Sequence, residues 1–263
     1  MKQPSIAVIS YNTPHRKTQD VLFQLKAKGY ENICVLALPF VKRENPFQPI
    51  FAHRPSTAIQ VETDVLCKRL NYDFQTITTD KINDYLNQNK TDFTLIAGAG
   101  LLPDELVENH KLINSHPGWL PQVRGLDSFK WAIHNQRELG VTCHFVDSEA
   151  DAGFLIEQVK VPIYKNDTFH SVAYRQYEIE IDLLIRSIEI IPNISQFPSL
   201  STSEWKQQDV CRKQLKKILW KNSKFIEINS ELCFDNLHSF QNFNCYKIAI
   251  CIITSSKTNV FSN

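Results

Sequence analysis

The sequence predicts an α/β protein with a mostly parallel sheet and helices on both faces. Strand-like and helix-like segments alternate as far as about Ile191. The strand-like segments SIAVIS, NICVLAL and FTLIA are continuous apolar runs, the pattern of strands buried on both sides. With 263 residues, of which 43% are hydrophobic and 22% charged, the chain can bury a core of its own without disulfides.

Ser5 to Ser10 reads as the first buried strand. Thr18 to Lys28 has helical spacing at Val21, Leu22 and Leu25, and Gly29 ends it. Asn32 to Leu38 is a second strand, and the four prolines between Pro39 and Pro55 make a loop. A helix over Ala58 to Leu70, a short strand over Tyr72 to Thr76 and a helix over Asp80 to Asn89 follow. Phe93 to Ala97 is a strand that runs into Gly98 and Gly100. Pro103 to Asn109 is a short helix with proline in its tolerated first turn, and Lys111 to Asn114 is a strand. Ser128 to Asn135 reads as a helix, and Val141 to Val146 and Phe154 to Ile163 as strands. Thr168 can cap a long helix to about Ile191, with Val172, Ile179, Leu183 and Leu184 as its apolar stripe. Pro192 to Pro198 is a linker, so residues 1–192 form the core and 193–263 a short C-terminal extension.

Six of the seven glycines lie between residues 98 and 153, where backbone must turn sharply or come close to something. The seven cysteines contain no CxxC pair and several sit among apolar neighbours, so they read as reduced packing thiols with no metal site. A net charge of +1 gives no field that would gather nucleic acid or anionic membrane. The opening MKQPSIAVIS is too short in apolar run for a signal peptide, and a cytoplasmic location is expected.

Sites in parallel sheets sit at the carboxyl ends of strands. Asn114 and His116 lie two apart at such an end, and Asp151 lies 35 residues beyond His116, in a turn between two strands. An amide, an imidazole and a carboxylate suit acyl transfer. The amide and a protonated histidine would stabilise an oxyanion, and the carboxylate would keep the histidine charged and relay a proton. Without an evident Ser or Cys nucleophile, direct transfer between two bound substrates is implied. On spacing alone, ordinary readings stand beside this one: a core or turn histidine, a capping asparagine, a turn aspartate.

The run from Leu112 to Gln158 resembles the folate-dependent formyltransferase family. It carries, in order, Asn114, His116 and Pro117; Leu120, Pro121, Arg124 and Gly125; Trp131, Ala132 and Ile133; Gly140, Val141, Thr142 and His144; and Asp151 and Gly153. The likeness is strong from about 93 to 165, loose from 5 to 92 and absent after about 192. It implies a Rossmann-like core, 10-formyltetrahydrofolate as formyl donor and a primary amine as acceptor. It maps catalysis onto Asn114, His116 and Asp151. It also places the pterin against Ala97, Gly98, Gly100, Leu101 and Leu102, with Asp147 closing the other side. His144 reads as a strand residue packed near the site or behind it.

The family's branches differ in acceptor. The glycinamide ribonucleotide branch opens with a glycine-rich phosphate loop, whereas this chain has Ser10 to His15 there with no glycine. The methionyl-tRNA branch carries a nucleic-acid-binding barrel, whereas only about seventy residues follow the linker here. One basic stretch, Lys206 to Lys224, reads as a solvated helix face rather than an RNA groove. The remaining branch takes nucleotide-linked amino sugars such as dTDP-4-amino-4,6-dideoxyglucose, destined for O-antigen. Tyr11, Asn12, His15, Arg16, Lys17 and Arg124 are the candidate contacts to that substrate, although His15 to Lys17 read equally well as a solvated helix start. The tail, with hairpin-like alternation from Lys224 to Ile253, is expected to serve a homodimer. The expected mechanism has the neutral amine attacking the formyl carbon, Asn114 and His116 holding the oxyanion, and Asp151 taking the amine proton directly or through water. Methionyl-tRNA formylation and a non-catalytic folate- or nucleotide-binding module are the alternatives.

Overall fold

The computed structural model describes residues 3–41, 61–149 and 151–200. The basic stretch, the hairpin-like segment and most of the expected extension lie outside them. In chain order the elements are β1 (Ile6–Tyr11), α1 (Arg16–Ala27), β2 (Ile33–Leu38), α2 (Thr63–Leu70), β3 (Asp73–Thr76), α3 (Ile82–Asn89), β4 (Phe93–Ile96), α4 (Asp104–Asn109), β5 (Leu112–His116), α5 (Ser128–His134), β6 (Gly140–Phe145), β7 (Gly153–Lys160), α6 (Phe169–Ile190) and β8 (Ser199–Leu200). They build one eight-stranded sheet in the order β3-β2-β1-β4-β5-β6-β7-β8. The first five strands in that order are parallel, and β6, β7 and β8 are each antiparallel to the strand before.

The two faces of β1 account for the two helical layers. Ile6 and Val8 pack with Val21, Leu22 and Leu25 of α1 and with Ile181, Leu184 and Ile185 of α6. Ala7 and Ile9, on the alternate face, pack with Ile82 and Leu86 of α3 and Leu106 of α4. Each fully buried aliphatic side chain contributes about 1.5–3 kcal/mol, so a strand apolar at every position is stable only between two such layers. The thiols of Cys67 and Cys143 lie in this core, and burial pushes both up to about 12, which leaves them protonated and inert.

The expected alternation of elements is present, with local differences. Residues 61 and 62 are not helical, so α2 begins at Thr63 rather than near Ala58. β7 stops at Lys160 because Pro162 has no N–H to continue a ladder. The expected linker after α6 leads into β8, which pairs with β7. Thr168 does cap α6, in a reciprocal box with Ser171. Behind it Arg175 grips both oxygens of Asp167 at 2.8 Å, anchoring the helix start.

Two features position the site. β1 has β2 on one side and β4 on the other, so the direction of chain progression reverses there, the point at whose carboxyl ends open parallel sheets bind ligands. β5 runs two residues further than expected, to His116, because antiparallel β6 pairs with it as far as His116↔Thr142.

Candidate active site

Asn114 and His116 project from the same face of β5, since side chains two apart share a face. β6 sets His144 directly opposite Asn114. The turn from β6 to β7 then returns Asp151 to His116. That return is tight: Asp151 sits in left-handed backbone at φ 53° and Gly153 at φ 100°, and a Cβ on Gly153 would lie 2.1 Å from the Phe145 carbonyl oxygen. Glycine at 153 is therefore required by both backbone angle and space.

The hydrogen bonds fix protonation states. Asp151 Oδ1 lies 3.1 Å from His116 Nδ1, and its Oδ2 accepts from the Gly125 N–H at 2.6 Å. His116 Nε2 lies 2.9 Å from the Val123 carbonyl oxygen, which can only accept. Both ring nitrogens thus face acceptors, an arrangement satisfied by the imidazolium. Burial alone would lower the His116 pKa, but the charge and hydrogen bond of Asp151, and then the Val123 carbonyl, outweigh it and raise the pKa. Burial would likewise raise Asp151, and the His116 charge and hydrogen bond override it, holding the carboxyl well below its usual range.

His144 is the opposite case. Its Nδ1 lies 2.7 Å from the Ala152 carbonyl oxygen and must donate to it. Burial, then the neighbouring His116 charge, pushes its pKa down to about 4, so the ring is neutral near pH 7. Its Nε2 then carries a lone pair, and the Asn114 amide nitrogen donates to it at 3.4 Å. One N–H of Asn114 is committed there and the other is free to point elsewhere. Asn114 is only partly buried, whereas His116 is 5% exposed, so the amide is the accessible member of the pair.

The loop from Pro117 to Asp127 is held against the sheet by the buried side chains of Thr142 and Gln176 and the half-buried Gln158, none of which the sequence alone assigns this role. Thr142 Oγ1 donates to the Gly118 carbonyl at 2.8 Å and accepts from the Leu120 N–H at 3.0 Å. Gln158 donates to the Leu120 carbonyl at 2.7 Å, and Gln176 to those of Pro117 and Gly140 at 3.0 and 2.9 Å. The available signal was a polar residue recurring inside otherwise apolar strand and helix faces. Gly118 is packed where any side chain collides: its Cβ would lie 2.5 Å from the Val123 carbonyl oxygen and 2.7 Å from His116 Nε2. Gly118→Ala is therefore expected to displace the Val123 carbonyl, destabilise the protein by about 1–3 kcal/mol and lower the His116 pKa. Urea denaturation and an NMR titration of the ring check both.

The other expected site residues fall into groups. Tyr11, Asn12, His15 and Arg16 are half-buried at the end of β1. Tyr11 meets His15 and Phe40 edge-on, with centroids 5.4 and 5.1 Å apart. Buried Ala97 and Gly98, at the end of β4, close on this group, and a Cβ on Gly98 would lie 2.9 Å from the Tyr11 ring. The start of the expected pterin loop and the start of the expected substrate loop therefore meet at the switch point. Gly100 and Leu101 are exposed, Leu101 by 88%, while Leu102 packs partly on the core below. Asp147 is exposed, with its Oδ1 accepting from the Glu149 N–H at 3.0 Å. Arg124 is buried and reaches Glu149 at 3.4 Å. Lys17 is not at the rim with its neighbours. It is 8% exposed, and its ammonium pairs internally with Glu180 because the first turn of α1 directs it toward α6. Among the described residues no group of three or more His, Cys, Asp or Glu is placed to hold a metal ion, and no helix is long and apolar enough to cross a membrane.

Comparison with known proteins matches residues 6–188 to a family model described as formyl transferase. Phosphoribosylglycinamide formyltransferase of Haemophilus influenzae is 34% identical over 119 residues, covering 44% of this chain and 56% of that protein. Methionyl-tRNA formyltransferase of Bacteroides thetaiotaomicron is 24% identical over 196 residues, covering 73% and 59%. The matched region thus spans less than two thirds of either relative's length. Among solved structures, an N-formyltransferase from Helicobacter canadensis in complex with folinic acid and dTDP-3-aminofucose shares the fold, with a TM-score of 0.56 at 17% identity over 79% of this chain and 71% of that one.

Proposed function

The chain belongs to the formyl transferase family, and on that premise we propose that it moves the formyl group of 10-formyltetrahydrofolate to the primary amine of a nucleotide-linked amino sugar. The observation that carries formyl transfer is the set of Asn114 amide, His116 imidazolium and ionised Asp151 at one strand end. Support for the acceptor class comes from the β1–α1 loop, where Tyr11 and His15 crowd against Gly98 and no glycine offers a backbone cradle for a bare phosphate. The Helicobacter canadensis structure, with its folinic acid and its dTDP-linked amino sugar, points the same way. We assign the donor's flat ring to the end of β4, a reading supported by Gly100 being open to solvent and Leu101 standing exposed. We place the donor contacts at Ala97, Gly98, Gly100, Leu101, Leu102 and Asp147. The sugar-nucleotide contacts we place at Tyr11, Asn12, His15, Arg16 and Arg124.

In this mechanism the neutral amine attacks the formyl carbon. A carbon–nitrogen bond forms, and the carbonyl oxygen takes up the negative charge. Asn114 donates its uncommitted N–H to that oxygen, and the His116 charge stabilises it from behind. As the tetrahedral adduct collapses, the bond to the tetrahydrofolate nitrogen breaks, and the proton lost by the amine ends on that nitrogen. Asp151, held ionised, is a weak base, so its part is to keep His116 protonated and to relay the proton through water.

The test incubates the purified full chain with 10-formyltetrahydrofolate and a panel of nucleotide-linked amino sugars, reading products by mass. A gain of one formyl group on one of them is expected. Formylation of glycinamide ribonucleotide or charged initiator tRNA instead, with every sugar unchanged, would transfer the chain to another branch. We further propose a core over 1–192 with a C-terminal extension serving a homodimer in the cytoplasm, which sizing by light scattering checks.

A further inference from the structure

We propose that Lys17 and Glu180 are positioning residues for the reaction: their internal ion pair fixes the end of β5 from which Asn114 and His116 project. Lys17 Nζ lies 2.7 Å from Glu180 Oε1 and donates to the Ser115 carbonyl oxygen at 3.2 Å. Ser115 is the residue between Asn114 and His116. The two charged side chains are 9% and 2% exposed.

The ladder between β4 and β5 ends at Leu95↔Ile113, so the segment from Asn114 to His116 has outrun its neighbour on that side. A strand end with one ladder missing is free to shift unless another donor holds its carbonyls. The Lys17 ammonium is that donor. Glu180 neutralises it and aims it from α6, a helix anchored at its own start by Asp167 and Arg175. Tyr177, one turn earlier on α6, donates to Asp20 of α1 at 2.7 Å, and Arg16 bonds Asp20 at 2.6 Å, so α1 and α6 are tied together beside the pair. Stability alone is a weak reason for such a pair, because apolar side chains of similar volume often replace a buried ion pair at no loss. A requirement for fixed geometry is the stronger reason, since a misplacement of about 1 Å can cost on the order of a hundredfold in rate.

The proposal rests on the formyl-transfer reading, and its test separates the two. In the full chain, the double variant Lys17→Met/Glu180→Leu removes both charges while keeping volume. It is expected to melt at or above the wild-type temperature. Its kcat should fall by at least about tenfold, with KM for both substrates within about twofold. Its backbone amides from Asn114 to His116 should exchange with solvent faster than in the wild type, as seen in ¹⁵N–¹H spectra, a readout of the strand end that the direct effect of the Glu180 charge on the His116 ring does not mimic. Lys17→Arg, which keeps the charge, should retain most of the rate. Unchanged kcat and unchanged amide exchange from Asn114 to His116 in the double variant would reduce the pair to a structural feature and overturn the proposal. Raised KM with normal kcat would make the pair a ligand contact and overturn it equally. If the double variant does not fold, Glu180→Gln is read by the same criteria. If the wild type transfers no formyl group, the functional reading fails, and amide exchange at Asn114 to His116 alone still decides whether the pair positions the strand.

Discussion

Asp151→Asn is expected to lower the rate of formyl transfer by about a thousandfold, within the range seen for loss of a positioned acid–base group, while the protein stays folded. The carboxylate is the only charged group in hydrogen-bond contact with His116 among the described residues, and it is the largest favourable influence on the imidazolium against the cost of burial. An amide is the same size and can still accept from the Gly125 N–H, so the turn survives. It cannot supply the charge, and the His116 pKa should fall. In the wild type, activity that needs protonated His116 persists above the ordinary histidine value of about 6.5 and fades only as pH rises through the raised pKa. In the variant that alkaline limb should move to lower pH. A pH profile of kcat/KM measures the shift, and an unmoved limb at near wild-type rate would remove the Asp151–His116 pair from the mechanism.

Asn114→Ala should cost about a hundred- to a thousandfold in kcat, the usual effect of deleting one oxyanion donor, with little change in KM for the amine. The loss belongs to the transition state because the amide's uncommitted N–H meets full negative charge only there. His144 sharpens this expectation. Its neutral ring, with pKa about 4, keeps a lone pair toward Asn114 and so dictates which amide atom faces outward. Single-turnover rates with saturating donor distinguish this from a folding defect, and a variant turning over normally would leave the oxyanion without its accessible donor.

Much of this was legible in the residues. The continuous apolar runs announced a doubly covered parallel sheet, and Gly29, Gly98 and the Thr168 cap marked element ends close to where they fall. By residue type and spacing Asn114, His116 and Asp151 were one reading among ordinary ones; the resemblance to a family joined them as a set and put His144 near or behind them. Less legible was anything dependent on what faces a side chain from another element. Gln158 and Gln176 carried no motif signal, and Thr142 stood out only as a member of the family-like run Gly140 to His144, yet their side chains hold the Pro117–Asp127 loop. Lys17 read as a rim residue beside His15 and Arg16, and lies inside.

Sequence by itself determined the layered architecture, because apolar periodicity and turn glycines act within a few residues of where they occur, while the candidate site residues came from the resemblance to a family. Tertiary structure decided the charge states and the direction of Lys17. A protonated His116 exists only once the β6–β7 turn has delivered Asp151 to Nδ1 and the Val123 carbonyl has met Nε2, and Lys17 turns inward only because Glu180, far along the chain, waits beneath β5. Electrostatic energy depends on distance through space and on burial, and neither can be counted along a chain.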